Sequence, residues 1–408
     1  MVISMKRRTH EIRRYILDNI DYYGKVRVKG AVDKFAISRQ AIFKNIRTLL
    51  QTGLIIKTES EKVPYRLKPL HKNSTVIQVG PDTEENKVWT EFVSPILDGI
   101  KDNVKEICQY GFTEMFNNVI DHSQSQTADL VVIRDALVVR MTIQDHGIGI
   151  WKKLQQEFHL DDPRHALMEL TKGKVTSDPA RHTGEGIFFT SRVFDKYILA
   201  SDKLTFCRCQ EGGEWLFDVI SDDSGPGTSV TMVLYLDSEK TPADIFNKFT
   251  TELDDFGFTK THLSVQLAEY EGDHLVSRSQ ARRLLSRLDK FKEVIVDFTN
   301  VTAIGQAFAD EIFRVFQNEH PSILLIPIHT TPEVQGMINR TVAHDSQTAS
   351  RGVDSPAQKT MLYRKRSGGR TWHYRIDCSA WPTSDFTEQT DKPADGELCN
   401  ECRAKASI

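Results

Sequence analysis

Four short segments between residues 111 and 235 combine carboxylate, amide and hydroxyl side chains with closely spaced glycines. The first holds Glu114 and Asn118, which lie four residues apart and therefore share one face of a helix. The second ends an apolar strand with Asp145 and continues with Gly147 and Gly149. Glycine lets the backbone approach a ligand without a side-chain clash. These residue types indicate a site for a polar ligand.

The other two segments place glycines ahead of regular elements. Thr183, Gly184 and Gly186 come directly before an apolar helix, and Gly227 and Thr228 precede a strongly apolar strand. Consecutive backbone N–H groups at the N-terminus of a helix bind phosphate oxygens. The third segment therefore indicates a phosphate-binding loop.

In this order, the four segments resemble those of the GHKL ATPase fold shared by histidine kinases, gyrase-type ATPases, Hsp90 and the bacterial anti-sigma serine kinases. Their spacing is more similar to the compact anti-sigma kinase branch than to the larger gyrase branch. The resemblance implies an α/β sandwich over 87–240 that binds ATP and Mg²⁺. Two-component signalling is disfavoured, because the sequence lacks the phosphoacceptor helix of sensor kinases and a transmembrane sensor.

The resemblance assigns a role to each residue of the site. Asp145 would accept a hydrogen bond from the adenine amino group, Asn118 would offer a neutral oxygen to Mg²⁺, and Glu114 would act as the general base. Thr228 would form a hydrogen bond near the adenine. The remaining nucleotide-binding residues are Gly147, Gly149, Thr183, Gly184 and Gly186.

Three cations occupy the segment that would form a lid over the phosphates: Lys172, Lys174 and Arg181. Two interpretations stay open for them, contact with phosphate or solvated loop charges. His122 follows Asn118 by four residues, and we expect it to pack beside the site rather than to catalyse a reaction.

The N-terminal region, 1–70, is strongly basic. It contains 16 Lys and Arg against 6 Asp and Glu, a balance of +10, whereas the rest of the chain has a balance of −13. Such a region is typical of a module that binds a polyanion. Ile12, Ile16 and Ile20 have the spacing of one buried helix face, and a second short helix is expected over 28–35.

A third helix is expected to begin after Ser38 as its N-cap and to end near Gly53. Gln40, Lys44 and Arg47 lie opposite its apolar stripe, and two short alternating segments follow it. The region resembles a winged helix-turn-helix, which implies that these three residues bind duplex DNA. A basic three-helix module that binds protein is the alternative.

The segment VIVDFTNVTAIGQAFADEIFRVF, within 241–345, resembles the strand-to-helix element of STAS domains. The resemblance implies an α/β domain that contacts a protein partner. In anti-sigma antagonists a phosphorylated serine opens this helix, whereas Gly305, Gln306 and Ala307 stand here, and none of them can accept a phosphoryl group. Phosphoryl transfer to this domain in cis is therefore disfavoured. A basic helix before it is expected to open at Ser279.

Three of the six cysteines lie in the last 31 residues of the chain. Cys399 and Cys402 form a CxxC pair, and Cys378 lies a loop away from it. This spacing predicts a zinc site. It resembles small zinc-binding tails in which Arg375 would be a cysteine, so the fourth ligand is open and His373 is the candidate. Reduced thiols in a disordered tail are the alternative.

The fold class is therefore α+β and α/β multidomain. It combines a winged helix-turn-helix, a GHKL α/β sandwich, a STAS-like α/β domain and a small zinc-binding tail. The predicted boundaries are 1–70 for the winged helix, 71–86 for a linker, 87–240 for the ATP-binding domain, 241–345 for the STAS-like domain, 346–370 for a second linker and 371–408 for the tail.

The composition, with 39% hydrophobic and 27% charged residues, excludes a fibre and a wholly disordered chain. No apolar run is long enough to span a bilayer, and the basic N-terminus lacks the apolar core of a secretory signal. Few cysteines favour a reducing, cytoplasmic location. No membrane partner is expected, and a homodimer stays open.

These features favour a bacterial ATP-dependent DNA-binding regulator, in which Mg-ATP binding and slow hydrolysis switch the winged helix. One alternative is a protein serine/threonine kinase of the anti-sigma type in a partner-switching circuit. Another is a defence or repair ATPase without a regulatory role, which uses DNA only as a scaffold. The enzymatic activity is accordingly an ATPase or, in the kinase alternative, a phosphotransferase.

Overall fold

The computed structural model describes 2–160, 162–175, 184–209, 213–218, 226–250, 258–269, 274–348, 363–374, 378, 380–382, 385–389, 393, 396–399 and 402. Thr183, Arg181 and Arg375, which the sequence analysis singled out, lie outside these residues. The chain divides into two units, Met1–Asp345 and Ser346–Ile408.

Three helices and a two-stranded hairpin form the basic N-terminal region. They are α1 Val2–Tyr23, α2 Val28–Phe35, α3 Arg39–Gln51, β1 Ile55–Lys57 and β2 Tyr65–Leu67. Ile12, Ile16 and Ile20 are all buried, so the isoleucine spacing marks the inner face of α1 as expected. Ser38 caps α3, because its hydroxyl oxygen accepts a hydrogen bond of 3.2 Å from the Ala41 amide.

A seven-stranded antiparallel sheet follows, with the strand order β3-β4-β5-β9-β6-β7-β8. Its strands are β3 His71–Gln78, β4 Thr127–Arg134, β5 Val138–Asp145, β6 Lys196–Ser201, β7 Leu204–Cys209, β8 Gly213–Asp218 and β9 Thr228–Tyr235. Residues alternate along β5: Met141 and Ile143 are buried in the core, whereas the Thr142 hydroxyl lies 2.9 Å from that of Thr231 in β9.

Helices pack on the sheet and supply the rest of this core. They are α4 Glu85–Val88, α5 Asp102–His122, α6 Ile150–Phe158, α7 Pro163–Lys172, α8 Gly186–Val193 and α9 Pro242–Lys248, with a π-helical turn Trp89–Val93 and a 3₁₀ turn Ser94–Leu97 after α4. The long α5 lies on β5 and β9, and α8 lies on β6. Phe112 and Phe116 of α5 stack with ring centroids 5.3 Å apart and are fully buried.

The linker expected over 71–86 is not a linker at its start, because β3 occupies His71–Gln78. This strand pairs with β4 over its whole length, from His71 opposite Arg134 to Gln78 opposite Thr127. It is an edge strand in which only Ile77 is buried. A strand that buries so little needs no apolar alternation, which is why the polar sequence HKNSTVIQ gave no strand signal.

A parallel three-stranded sheet, in the order β10-β11-β12, forms the last part of the first unit. Its elements in chain order are β10 Lys260–Ser264, a 3₁₀ turn Val265–Ala268, α10 Arg278–Leu285, a 3₁₀ turn Leu288–Lys290, β11 Glu293–Asp297, α11 Gln306–Asp310, a π-helical continuation Glu311–Phe316, α12 Gln317–Glu319, β12 Leu324–Ile328 and α13 Pro332–Thr348. The helix of the expected strand-to-helix element is therefore present; it follows β11 and runs from Gln306 to Phe316, directly after Gly305.

Two expectations for this part are corrected. Ser277, rather than Ser279, caps α10 through a capping box with Gln280. The second concerns the domain boundary expected at residue 240. The helix α9 begins just after this boundary but packs on α5 and α8, which belong to the preceding region with the seven-stranded sheet. Its Phe246 lies 5.5 Å from Tyr110 and 4.5 Å from Phe189 between ring centroids.

The second unit contains β13 Tyr363–Arg366, β14 Thr371–Trp372, β15 Phe386–Gln389 and β16 Glu397–Leu398. The strands β13 and β15 pair antiparallel, and β14 and β16 pair parallel. The linker expected over 346–370 thus includes the end of α13 and all of β13, while 349–362 lie outside the described residues. None of the described helices is long and apolar enough to cross a membrane.

The basic N-terminal region packs on the seven-stranded sheet through α1. Ile16 and Ile20 belong to one buried apolar cluster with Val138 of β5 and Val233 of β9. Polar contacts surround this cluster: the Arg14 guanidinium pairs with Asp237 and lies 4.0 Å from the ring centroid of Tyr235. Arg140 of β5 pairs with Asp21 at 3.2 Å. Apolar and ionic contacts together hold α1 on the strands.

Candidate functional site

A cavity of about 410 Å³ lies where α5 meets the three glycine-containing segments. Seven residues that the sequence assigned to the nucleotide line it: Glu114, Asn118, Asp145, Gly149, Gly184, Gly186 and Thr228. Gly147 is not part of the lining, and Thr183 lies outside the described residues. The volume is in the range typical of small-molecule sites. Segments separated by more than one hundred residues thus converge on one concave surface.

Asp145 is the buried carboxylate of this cavity, with only 4% of the residue exposed. Its Oδ1 accepts a hydrogen bond of 2.9 Å from the Gly147 amide, and Thr228 donates to it from both its amide and its hydroxyl. Burial raises the pKa of Asp145 above its ordinary value, while the bonds from Gly147 and Thr228 oppose this shift. A further donor from a ligand would favour the charged carboxylate.

Two glycines lie in close approach to the helix α5 and its C-cap residue, and the approach at Gly147 is to backbone that cannot move aside. A Cβ at Gly186 would overlap Oε2 of Glu114, so the first turn of α8 lies directly against that carboxylate. A Cβ at Gly147 would overlap the carbonyl oxygen of Ser123, which also accepts a hydrogen bond of 3.0 Å from the Ile148 amide. Both contacts join a glycine segment to α5, which carries Glu114 and Asn118.

The fourth segment is tied to the second by Thr228. Its Oγ1 accepts a hydrogen bond of 3.0 Å from the Ile150 amide at the start of α6, in addition to the bonds that Thr228 donates to Asp145. The Ser201 hydroxyl donates to the carbonyl oxygen of Gly227 at 2.7 Å. These bonds hold the ends of β5, β6 and β9 together at one side of the cavity.

The two lid cations that the structure describes, Lys172 and Lys174, do not line the cavity. The Lys172 ammonium, 1% exposed, donates to Oε1 of Glu169 at 2.7 Å and to the backbone carbonyl of Ser286 at 2.8 Å. Lys174 Nζ donates to the carbonyl of Lys290 at 3.1 Å. Both interpretations of Lys172, phosphate contact and solvated charge, are therefore wrong, because the end of α10 captures its ammonium. Arg181 lies outside the described residues.

Burial lowers the pKa of Lys172, and the adjacent Glu169 carboxylate opposes that shift. The Lys172 carbonyl also accepts a hydrogen bond of 2.6 Å from the Thr261 hydroxyl of β10. Three residues later, Val175 lines the cavity, and its amide donates to the carbonyl of Gly184 at 3.3 Å. The short segment 172–175 therefore connects the cavity wall to the parallel sheet.

Lys153 and Glu157 of α6, which were not predicted from the sequence, also line the cavity. Lys153 Nζ lies 3.4 Å from Glu157 Oε1, 3.3 Å from the His122 carbonyl oxygen and 3.4 Å from His122 Nδ1. His122 lines the same cavity and packs beside it. Lys153 could have been predicted from its position in the sequence. It lies four residues after Gly149, in a helix that begins directly at the glycine segment.

The residues predicted to contact DNA lie together on α3. Gln40, Lys44 and Arg47 are all exposed, on the face opposite the buried Ile42 and Ile46. The buried side chains of α3 join the apolar cluster that also contains α1, so this opposite face is left open to solvent. It presents two cations and an amide to solvent.

A second candidate site lies in the C-terminal unit. The donor atoms of His373, Cys378, Cys399 and Cys402 all lie within 4.8 Å of one another. The parallel pairing of β14 with β16 places His373 and Cys399, each directly after its strand, side by side. The sulfurs of Cys378 and Cys399 are 3.7 Å apart, close to the roughly 3.8 Å that a tetrahedral ion with bonds of about 2.3 Å requires.

The burial of this cluster suits a metal ion. His373, Cys378 and Cys402 are buried, and Nδ1 of His373 lies 3.3 Å from Cys378 Sγ. Three sulfurs and an imidazole nitrogen form a soft donor set that can hold a metal such as zinc. His373 therefore completes the set that the sequence left open at its fourth position.

Comparison with known proteins identifies one region. Residues 280–335 match the family described as a STAS-like domain of unknown function (DUF4325). The match runs from α10 to the first turn of α13 and confirms the STAS-like part of the sequence prediction. No curated protein matches the chain. The end of α10, which binds Lys172, lies within the STAS-like domain.

We expect the purified chain to carry one metal ion, because all four donors come from the protein and lie within 4.8 Å of one another. Elemental analysis should give one equivalent of zinc for the wild type and much less for Cys399→Ser. Cys108→Ser, which changes a buried cysteine outside the cluster, is the matched control and should retain the metal. A metal-free wild type would contradict a metal site.

Replacing Lys172 with Met should destabilise the chain by about 3–5 kcal/mol, because Glu169 would then be a buried charge without its partner. Lys174→Met is the control; its ammonium donates to the Lys290 carbonyl and lies near the Phe258 and Phe291 rings without burying an ion pair, and we expect a smaller loss of about 1 kcal/mol. Urea denaturation followed by circular dichroism measures both. Equal stabilities of the two variants would show that Lys172 is not a structural cation.

Proposed function

We propose that this protein is an ATP-dependent DNA-binding regulator with a GHKL-type nucleotide site. The observation that carries the proposal is the convergence of Glu114, Asn118, Asp145, Gly186 and Thr228 on one cavity. These residues come from four distant segments whose types and order resemble the GHKL boxes. A seven-stranded antiparallel sheet with α5 and α8 packed on it also agrees with an α/β sandwich.

Asp145 is the residue that selects adenine in this proposal. An amino group of the base donates to the buried carboxylate, whose burial makes an added hydrogen bond more valuable than it would be in water. Guanine presents a carbonyl at the corresponding position and cannot donate. Thr228, which already bonds to Asp145, holds the carboxylate in place.

The phosphate end of the site is formed by α5 and the start of α8. Gly184 and Gly186 let backbone amides approach phosphate oxygens, and α8 is eight residues long with its N-terminus at the cavity. Asn118 and phosphate oxygens fit Mg²⁺, a hard cation that prefers oxygen ligands and supplies charge neutralisation when bound. Glu114, against Gly186, is the candidate general base.

DNA binding rests on the basic N-terminal region and its exposed face. The balance of +10 over 1–70 favours a polyanion, and Gln40, Lys44 and Arg47 project from α3 without packing on the sheet. Amide and cationic side chains on one exposed helix face are the groups that contact base edges and phosphates. This supports duplex DNA over a protein as the partner of α3.

Two strands connect the cavity with the DNA-binding region. In β5, Asp145 is the last residue and Val138 is the first. In β9, Thr228 is the first residue and Val233 lies near the other end. Val138 and Val233 pack against α1. Occupation of the cavity can therefore alter the support of α1 through two shared strands, which is the physical basis for nucleotide-dependent DNA affinity.

The STAS-like match favours a second candidate, a protein serine/threonine kinase in a partner-switching circuit. Glu114 would then activate a hydroxyl of a partner protein instead of water. The helix after β11 begins with Gln306, preceded by Gly305, so no hydroxyl opens it and the acceptor would be a separate chain. Transfer of labelled phosphate from ATP to a partner, rather than release of free phosphate, would favour this candidate.

For the C-terminal unit we propose a structural zinc site. Four protein donors leave no open coordination position for a substrate or water, which distinguishes structural from catalytic zinc. The ion would join the short strand pair β14–β16 to the segment that holds Cys378. The C-terminal unit is too small to be stabilised by an apolar core alone.

Three substitutions test the nucleotide site. Asp145→Ala should weaken ATP binding by about 10-fold or more, because the adenine loses a charged acceptor worth roughly 1.5–3 kcal/mol. Glu114→Ala should leave binding nearly intact and slow turnover by about 10²–10⁴-fold, as expected for loss of a general base. Asn118→Ala should weaken binding of Mg-ATP more than binding of metal-free ATP. Calorimetry and phosphate release measure these effects.

The control for this series is Gln144→Ala, which precedes Asp145 on the opposite face of β5 and does not line the cavity. Unchanged ATP affinity in Asp145→Ala would refute the proposed site. If the protein binds ATP tightly but neither hydrolyses it nor transfers its phosphate, the domain is a nucleotide sensor and not an enzyme.

The DNA proposal predicts that Lys44→Ala with Arg47→Ala weakens binding of duplex DNA and reduces its salt dependence, because fewer counterions are released. Lys72→Ala, which removes an exposed cation from β3 outside the basic region, is the control. Fluorescence anisotropy at two or more salt concentrations, with and without ATP, gives both quantities. Absence of any binding by the wild type at low salt would make the region a protein-binding module.

A further inference from the structure

The cavity has an excess of negative charge on its walls. Four carboxylates line it, on Glu114, Asp121, Asp145 and Glu157, and among the described lining residues Lys153 is the only lysine or arginine. A nucleotide triphosphate adds several further negative charges. Mg²⁺ neutralises part of them, but a cationic side chain close to the phosphates would still lower the electrostatic cost of binding.

Lys153 is the described cation in position to do this. The two lysines expected to contact phosphate, Lys172 and Lys174, donate to Ser286 and Lys290 in the STAS-like domain. Lys153 is in the first turn of α6, where its amide donates to the Gly149 carbonyl at 3.1 Å. Its side chain is 19% exposed and therefore reaches the cavity from a mostly covered position.

The contacts of the Lys153 ammonium hold it at the cavity, but they are long for charged hydrogen bonds. Its ammonium donates at 3.3 Å to the His122 carbonyl, one of the last carbonyls of α5, which have no partner within the helix. Glu157 lies 3.4 Å away, at a distance longer than a close charged hydrogen bond. A phosphate oxygen is a stronger acceptor than a backbone carbonyl, so a bound phosphate can displace that contact.

We propose that Lys153 binds a phosphate group of the nucleotide and is the cation by which the cavity distinguishes nucleotides from nucleosides. The inference rests on the proposed nucleotide site. The lysine moves its ammonium from the His122 carbonyl to a phosphate oxygen by rotation of its four-carbon chain. Glu157 keeps the side chain at the cavity when no nucleotide is bound.

The test compares ATP, ADP and adenosine by isothermal titration calorimetry on the full-length wild type, Lys153→Met and Lys152→Met. Methionine keeps an unbranched apolar chain of similar size to the lysine stem and removes the charge. Lys152 is the adjacent exposed lysine on α6 and does not line the cavity, so it is the matched control.

Lys153→Met should bind ATP and ADP about 10-fold or more weakly, the effect of losing one charged hydrogen bond, and should bind adenosine as the wild type does. Lys153→Arg should recover part of the affinity for ATP, and Lys152→Met should match the wild type throughout.

Two results would overturn the inference. Unchanged ATP affinity in Lys153→Met would show that the lysine contacts no phosphate. An equal loss for ATP and adenosine would assign Lys153 a role in holding α6 against α5 only. Both results presuppose a wild type that binds ATP; if the wild type binds none of the three ligands, the proposed nucleotide site itself fails.

Discussion

The buried carboxylate of Asp145 is the constraint on which the cavity depends. A carboxylate so far removed from water must receive hydrogen bonds or lose its charge, and Gly147 and Thr228 supply them from two different segments. Thr228 in turn accepts from Ile150, which fixes the start of α6. The ends of β5 and β9 and the first turn of α6 therefore occupy their positions together, and the cavity is the space that they leave beside α5.

A second buried charge connects this cavity to the STAS-like domain. Lys172 bridges Glu169 and the carbonyl at the end of α10, and the segment that follows it enters the cavity wall at Val175. A buried ion pair adds little net stability, but it demands one arrangement of the two regions, since separating the charges is costly. The contacts of Lys172 with the STAS-like domain therefore restrict the position of the segment that leads to Val175.

In the first unit, two sets of backbone elements lead away from the cavity. The strands β5 and β9 run from the cavity to α1, and the segment 172–175 runs from the cavity to β10 and α10. Both sets consist of backbone elements that are held by hydrogen bonds. This arrangement supports the proposed role as a regulator.

Local features of the sequence were sufficient for much of the fold and for part of the site. The isoleucine spacing of α1, the cap at Ser38, the helix from 306 to 316 and the His and Cys spacing of the tail are set by residues a few positions apart, and the structure contains all of them. The four segments that line the cavity could be picked out of the sequence for the same reason. Only the tertiary structure decided that 71–78 is an edge strand, that Lys172 is buried against α10 and that Lys153 faces the cavity. Each of these depends on long-range pairing or packing, because a strand that buries one side chain, or a lysine whose partner lies over one hundred residues away, leaves no periodic pattern in the sequence.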